Sequence, residues 1–248
     1  MNREEPMSRY FRMLPLVVVL FAACSSPSPV DEIVSSNLAA RGGKEQIQAL
    51  QSIRQTGTAT ASGGRVARVV REIKQPGLFR LEFSSQGTKS VFANDGKTGW
   101  QVAPLQGQFE PKVMTPETDA AAGVDQRDIE GPLFNWREKG HVVELIGREM
   151  LPGGEAFKLK VTLEDGAVRY DFVDVTSHLI VRSDITRLVQ GQPVVLENTF
   201  SDFREVDGLV FPFLVETQTK GRPQVLRITI EKIELNPDLD DARFQFPQ

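Results

Sequence analysis

From Ser52 to Leu235 the chain alternates apolar and polar residues with a period of two. Phe79, Leu81 and Phe83 alternate with Arg80 and Glu82. Phe157, Leu159, Val161 and Leu163 alternate with Lys158, Lys160 and Thr162. Leu226, Ile228 and Ile230 alternate with Arg227, Thr229 and Glu231. In an extended chain successive side chains point to opposite faces, so these runs make strands with one apolar and one wet face. Antiparallel sheets are the ones that leave a face to water. Turn-forming residues punctuate the runs at Gly63-Gly64, Pro76-Gly77, Asp95-Gly96, Gly153-Gly154, Asp165-Gly166, Asp207-Gly208 and Gly221-Arg222-Pro223. Between them the pattern predicts strands over 52–61, 65–74, 78–84, 88–94, 99–104, 141–150, 155–164, 167–174, 178–189, 193–205, 208–219 and 224–235. Strand-length runs separated by turn signals argue for a meander. No repeat and no linker divides it.

Helical signals flank and interrupt this run. Pro29-Val30-Asp31 reads as a helix start, and Ile33, Val34 and Leu38 then share a face until Gly42-Gly43 stops it. A second short helix is expected over Lys44 to Leu50, with Ile47 and Leu50 on a common face. The interruption is 105–140. Thr115-Pro116-Glu117 opens a helix with Pro in its first turn, favoured by Ala120, Ala121 and Ala122 and weakened by Gly123. A further helical piece is expected over Asp128 to Lys139, disturbed by Gly131-Pro132 and carrying Ile129, Leu133, Phe134 and Trp136. That apolar surface either docks on something or packs in the ordinary way.

The N-terminus has the anatomy of a secretory signal. Arg9 and Arg12 precede an apolar run from Met13 to Phe21, followed by Ala22-Ala23-Cys24. The run is far shorter than the ~20 residues that span a bilayer. Leu20-Phe21-Ala22-Ala23-Cys24 resembles a bacterial lipobox, with Phe21 where Leu is usual. That resemblance implies lipid attachment at Cys24 and cleavage before it. The plain alternative is a secretory signal with an incidental cysteine. Cys24 is the single cysteine, so no disulfide forms within the chain and the fold rests on its core. Residues 1–23 are therefore read as signal peptide, 24–29 as a lipidated Ser/Pro tether, and 30–248 as one domain. Two or more lipid chains anchor far more firmly than one. Ser25 after the cysteine, in place of an Asp, favours delivery to the outer membrane.

Without residues 1–23 the chain has 225 residues with 26 basic and 31 acidic side chains, a net charge of −5. A mildly acidic domain has no electrostatic reason to hold nucleic acid. Nor does any basic cluster suggest embedding in anionic lipid, which leaves membrane contact to the anchor. Catalytic signatures are missing. His141 and His178 stand at predicted strand starts as surface or edge residues, and no Gly-x-Ser-x-Gly, His-Glu-x-x-His or Cys-x-x-Cys occurs. Gly96-Lys97-Thr98 imitates the end of a phosphate loop, but the earlier glycine is Val91 and a strand follows, so it reads as a hairpin turn. Asp238, Asp240 and Asp241 lack a calcium-loop spacing. Glu82 and Asp171 are placed on the wet face of their strands. No enzyme activity, cofactor or metal is expected.

About twelve antiparallel strands in one sheet enclose more space than eight, whose own side chains just fill a barrel. Empty apolar space forfeits contacts. Either the helical segments fill the interior, or an apolar ligand does; burying each methylene of an acyl chain gains ~0.8 kcal/mol.

Four stretches resemble the LolA/LolB family of lipoprotein-sorting proteins. These are Ala40-Arg41-Gly42-Gly43 with Ile47, Leu50, Ser52-Ile53 and Thr56-Gly57; Lys74-Gln75-Pro76-Gly77-Leu78-Phe79-Arg80-Leu81; Asp95-Gly96-Lys97-Thr98-Gly99-Trp100 with Pro104; and Leu239-Asp240-Asp241-Ala242-Arg243-Phe244-Gln245-Phe246-Pro247. The resemblance implies a mainly β (α+β) fold: a single large antiparallel sheet curled into a half-open β-barrel with a few short helices as lid or plug. It implies a cavity that binds the acyl chains of lipoproteins or other lipids, lined by Phe79, Leu81, Phe83 and Trp100, with Val102 sharing the face of Trp100. Another lipoprotein carrier is an implied partner. Family carriers have an Arg before the hairpin Pro that helps hold the lid; here Gln75 stands there, beside Lys74. An anchored member in the cell envelope, facing the periplasm, takes the receptor or transfer role. The alternative is an envelope sensor or scaffold with the same fold and no carrier role.

Overall fold

The computed structural model describes residues 28–116, 119, 127–189 and 191–247. The signal peptide, Cys24 and the tether up to residue 27 lie outside the described residues, as does most of the helix expected after Thr115.

Thirteen strands form one antiparallel sheet: β1 (Ser52–Ala61), β2 (Val66–Lys74), β3 (Leu78–Ser85), β4 (Thr88–Asp95), β5 (Gly99–Ala103), β6 (Gln108–Val113), β7 (Val142–Leu151), β8 (Gly154–Thr162), β9 (Val168–Asp174), β10 (Ile180–Val189), β11 (Gln192–Val206), β12 (Leu209–Thr219) and β13 (Val225–Leu235). The order is β6-β5-β4-β3-β2-β1-β13-β12-β11-β10-β9-β8-β7. Two meanders are thus joined where the last strand returns beside the first. The sheet is not closed: its edges are β6 and β7, strands consecutive in sequence. This is the half-open, mainly β architecture expected.

Strand β6 lies where the sequence pattern showed only an interruption. It carries Pro111, which cannot donate to a ladder. As an edge strand β6 tolerates it. The helix expected over 128–139 does not form. Gly131 at φ 85° and Asn135 at φ 45° turn the chain out of helical geometry. Asp128 Oδ1 accepts from the backbone N–H of Glu130 at 3.1 Å and of Gly131 at 3.2 Å, fixing a turn.

Helix α1 (Pro29–Ala40) starts where the sequence placed it. Ser28 Oγ accepts from the Asp31 N–H at 3.3 Å, and Asp31 accepts in return from the Ser28 N–H, a reciprocal cap. Helix α2 (Lys44–Gln48) follows after Gly42 and Gly43. Gly42 sits so close to β12 that a Cβ would lie 2.3 Å from the Gly208 carbonyl. Both helices lie against one face of the sheet, here termed the inner face. Ile33 and Val34 of α1 pack with Leu133 against Val143, Leu159, Val161 and Val173 of β7–β9. Ile47 and Leu50 pack with Met114, Ile129 and Phe134 against Ile53, Ile73, Phe79, Phe213 and Ile230. The apolar residues of the 128–139 segment therefore take the ordinary option and pack on the sheet.

The outer face is charged and partly covered. After β13 the chain crosses β2–β5 as a strap. Lys74 Nζ donates to the Leu239 carbonyl at 2.7 Å, Arg80 Nη1 to the Arg243 carbonyl at 2.7 Å, and Trp100 Nε1 to the Phe244 carbonyl at 2.8 Å. Arg243 and Arg54 both bind Glu72, which is buried beneath them. Leu239 and Phe244 are buried; each such side chain contributes about 1.5–3 kcal/mol.

Candidate functional site

Register across the sheet decides which side chains meet on the inner face. One row runs Ile233–Gln55–Arg71–Leu81–Phe92–Gln101 across β13 and β1–β5. The next runs Ile230–Gly57–Val69–Phe83–Ser90. A third, on the far side of the seam, runs Phe200–Val215–Ile228–Ala59–Ala67 across β11, β12, β13, β1 and β2. Phe79, Leu81 and Phe83 share this face, as expected. Phe79 is fully buried in the cluster under α2, and Leu81 packs on its border. Phe83, Val215 and Phe200 continue the apolar face beyond that cluster and are only half-buried. Gly57, Ala59 and Ala67 between them keep the middle of the surface low.

Trp100 and Val102 do not belong here. Trp100 pairs with Ala93 and Val102 with Val91, while Gly99 and Gln101 face inward with Asn94 and Phe92. The cavity-side expectation is corrected: faces alternate by single residues, and the β4–β5 register sets Trp100 outward. There it stacks edge-on with Phe246 at 6.2 Å and borders a groove of about 460 Å³ with Arg80 and Arg243, beneath the strap. A second groove, about 420 Å³, lies between α1 and the 131–138 turns, lined by Val34, Leu38, Leu133 and Trp136. Arg137 bonds both oxygens of Asp31 at its rim, at 2.6 and 3.0 Å. Hydrogen bonds from Arg137 and Ser28 hold the Asp31 carboxyl down at about 2.

Asp171 also departs from expectation. It faces inward and is fully buried, while Phe172 faces outward beneath the Lys158 and Arg182 cations, 5.3 and 4.8 Å from its ring. Glu82 is on the outer face as expected but is buried between Arg80 and Lys89. Burial pushes its carboxyl up; hydrogen bonds from Lys89 and Arg80 outweigh this and leave it below its ordinary value. Arg71 is the inner-face cation of the first row. It donates to Gln55 Oε1 at 3.1 Å, and burial pushes its guanidinium down to about 10.

His141 directly precedes β7 and His178 lies two residues before β10; both are half-buried. His141 Nδ1 lies 3.1 Å from the Pro132 carbonyl, and the His178 carbonyl accepts from Asn37 Nδ2 at 2.7 Å. Gly96-Lys97-Thr98 is a hairpin turn, held by Asp95 Oδ1, which accepts from the N–H of Lys97 and Thr98. Among the described residues no three His, Cys, Asp or Glu side chains gather as a metal site, and no helix is long and apolar enough to cross a membrane. Lys74, beside Gln75, reaches the strap on the outer face through Leu239 and Asp241. The sequence reading missed Phe200 and Val215; only the β11–β12–β13 pairing aligns them with Ile228.

No family model matches the chain, and no curated protein matches it. Solved structures share its architecture. A LolA superfamily protein from Nitrosomonas europaea superposes with a TM-score of 0.57 at 13% identity, over 87% of this chain and 97% of that one. The chain has the LolA fold. A domain named for outer-membrane lipoprotein sorting, from Vibrio parahaemolyticus, gives 0.55 at 11% identity over 86% and 94%. A DUF1329 family protein from Desulfovibrio piger gives 0.61 at 16% identity over 88% and 97%. At these identities the LolA fold is what is shared.

Proposed function

We propose that this is a non-enzymatic lipid-binding protein of the cell envelope that holds acyl chains against the inner face of its half-barrel. It serves lipoprotein sorting or transfer to the outer membrane, receives its cargo from another lipoprotein carrier, and is itself anchored through Cys24, facing the periplasm. The observation that carries this reading is the apolar surface formed by Phe83, Val215, Phe200 and Ile228. It continues the core face past the packed helices and is left half-buried by them. The LolA fold and the lipobox-like residues support it.

A second reading has its own observation. Helices α1 and α2 and the 128–139 turns already fill much of the inner face. That filling favours an envelope sensor or scaffold that carries no cargo.

Displacement of a fluorescent fatty acid from the mature chain, bearing Cys24→Ser to avoid lipidation, separates the two. Phe83→Glu or Val215→Glu should weaken binding about tenfold or more, since a half-buried apolar contact is worth about 1.5 kcal/mol and a charge opposes the acyl chain. Thr229→Glu, on the exposed outer face, should leave it unchanged. Circular dichroism checks that each variant folds. Absence of binding by the unmodified chain would reject the carrier reading.

A further inference from the structure

One cross-strand row of the inner face is polar over four consecutive strands. Asp171 on β9 stands opposite Ser183 on β10, Ser183 opposite Asn198 on β11, and Asn198 opposite Thr217 on β12. Burial declines along it: Asp171 and Ser183 are 0% exposed, Asn198 is 5% exposed and Thr217 is half-buried. Thr217 Oγ1 donates to Asn198 Oδ1 at 2.7 Å. At the closed end the bonding is lopsided. Asp171 Oδ1 accepts from Arg169 Nε at 3.0 Å, Arg169 Nη2 at 2.7 Å and Ser183 Oγ at 2.5 Å. Asp171 Oδ2, in the same buried side chain, has no donor among the described residues. A buried oxygen without a partner bears its desolvation cost unrelieved, and native interiors rarely leave one so. Two residues along β11 and β12, about 7 Å away, lies the apolar row Phe200–Val215–Ile228; Asp171 stands two strands to the side, about 10 Å from β11.

We propose that this polar row is the head-group site of the acyl-binding face. It takes an uncharged amphiphile whose head donates hydrogen bonds, either a glycerol hydroxyl or an acyl-amide N–H, with Asp171 Oδ2 as the acceptor. The acyl chain then lies along Phe200, Val215 and Ile228. This rests on the acyl-binding reading and adds a preference to it. A fatty-acid anion has no hydrogen to donate to Asp171 Oδ2, and it brings a second carboxylate beside the one Arg169 cation that already pairs with Asp171. A donor head supplies the missing hydrogen bond instead.

The test compares 1-monopalmitoylglycerol, N-methylpalmitamide and palmitate in direct titrations with the mature chain. At least one neutral ligand should bind about tenfold more tightly than palmitate, the effect of one hydrogen bond to a charged acceptor. The tighter of the two tells whether the head is a glycerol or an amide. Asp171→Asn should bring the ratio to within about twofold of unity by removing the charged acceptor. Arg169 loses its ion pair in that variant, so Asn198→Leu provides an independent reading: it should weaken the neutral ligands and spare palmitate. Equal binding of all three, or a ratio unchanged in both variants, overturns the head-group site and leaves the acyl-binding reading standing. No binding of any of the three overturns both.

Discussion

Gly57 stands at the seam where the two ends of the domain meet. A Cβ there would lie 2.1 Å from the Thr229 carbonyl oxygen and 2.9 Å from Ile230 Cα, and the β1–β13 register shifts at this residue. Gly57→Ala must push the two strands apart. The expected cost is about 1–3 kcal/mol, a fall in Tm of roughly 3–10 °C for a domain of this size. Gly153→Ala, whose Cβ meets nothing within 4 Å, should leave Tm unchanged when the two are compared by calorimetry. The sequence offered no reason for a glycine at 57, because the atom it must avoid comes from a strand at the other end of the chain. The shared face of Phe79, Leu81 and Phe83 was legible, because alternation within one strand suffices for it. The faces of Trp100 and Asp171 were not. Trp100 depends on how many residues the intervening hairpin consumes. Asp171 inverts the usual rule, since its charge is matched inside by Arg169 while Phe172 finds cations outside.

The C-terminal strap is an element without regular secondary structure that closes the outer face of β2–β5. Its hold is apolar through Phe244 and Leu239 and polar through Glu72, Arg243 and the carbonyls that Lys74, Arg80 and Trp100 reach. Phe244→Ala should cost about 3–5 kcal/mol, as other buried phenylalanines do. In a Trp136→Phe background the emission of Trp100 should shift to the red, because its indole loses its cover. Unshifted emission would mean that the strap holds without Phe244. The motif Leu239-Asp240-Asp241-Ala242-Arg243-Phe244 was visible in the sequence, but its docking against Trp100 joins two stretches that no local pattern connects. Strand β6 was hidden by Pro111, which reads as a strand breaker until the strand proves to be an edge. The 128–139 segment imitated a helix through its apolar spacing, and the positive φ of Gly131 and Asn135 decided otherwise.

The molecule as a whole solves a problem set by strand number. Thirteen strands in one open sheet expose an inner face too broad for their own side chains. Helices α1 and α2, Met114 and the 128–139 turns cover the part near the β1 start and the β7–β9 edge. The meander was readable from turn spacing, whereas the return of β13 beside β1, which puts β6 and β7 at the edges, lies beyond any local signal. What these described segments leave half-buried is the surface through Phe83, Val215, Phe200 and Ile228. A palmitate analogue carrying a diazirine in mid-chain, irradiated with the mature protein and mapped by mass spectrometry, reports directly on where an acyl chain lies. Labels should fall on β3, β11, β12 and β13 at inward positions, with Phe83, Phe200, Val215 and Ile228 foremost. Labels confined to the strap groove at Trp100 and Phe246, or to the α1 groove at Leu38 and Trp136, would contradict an acyl chain on the inner face.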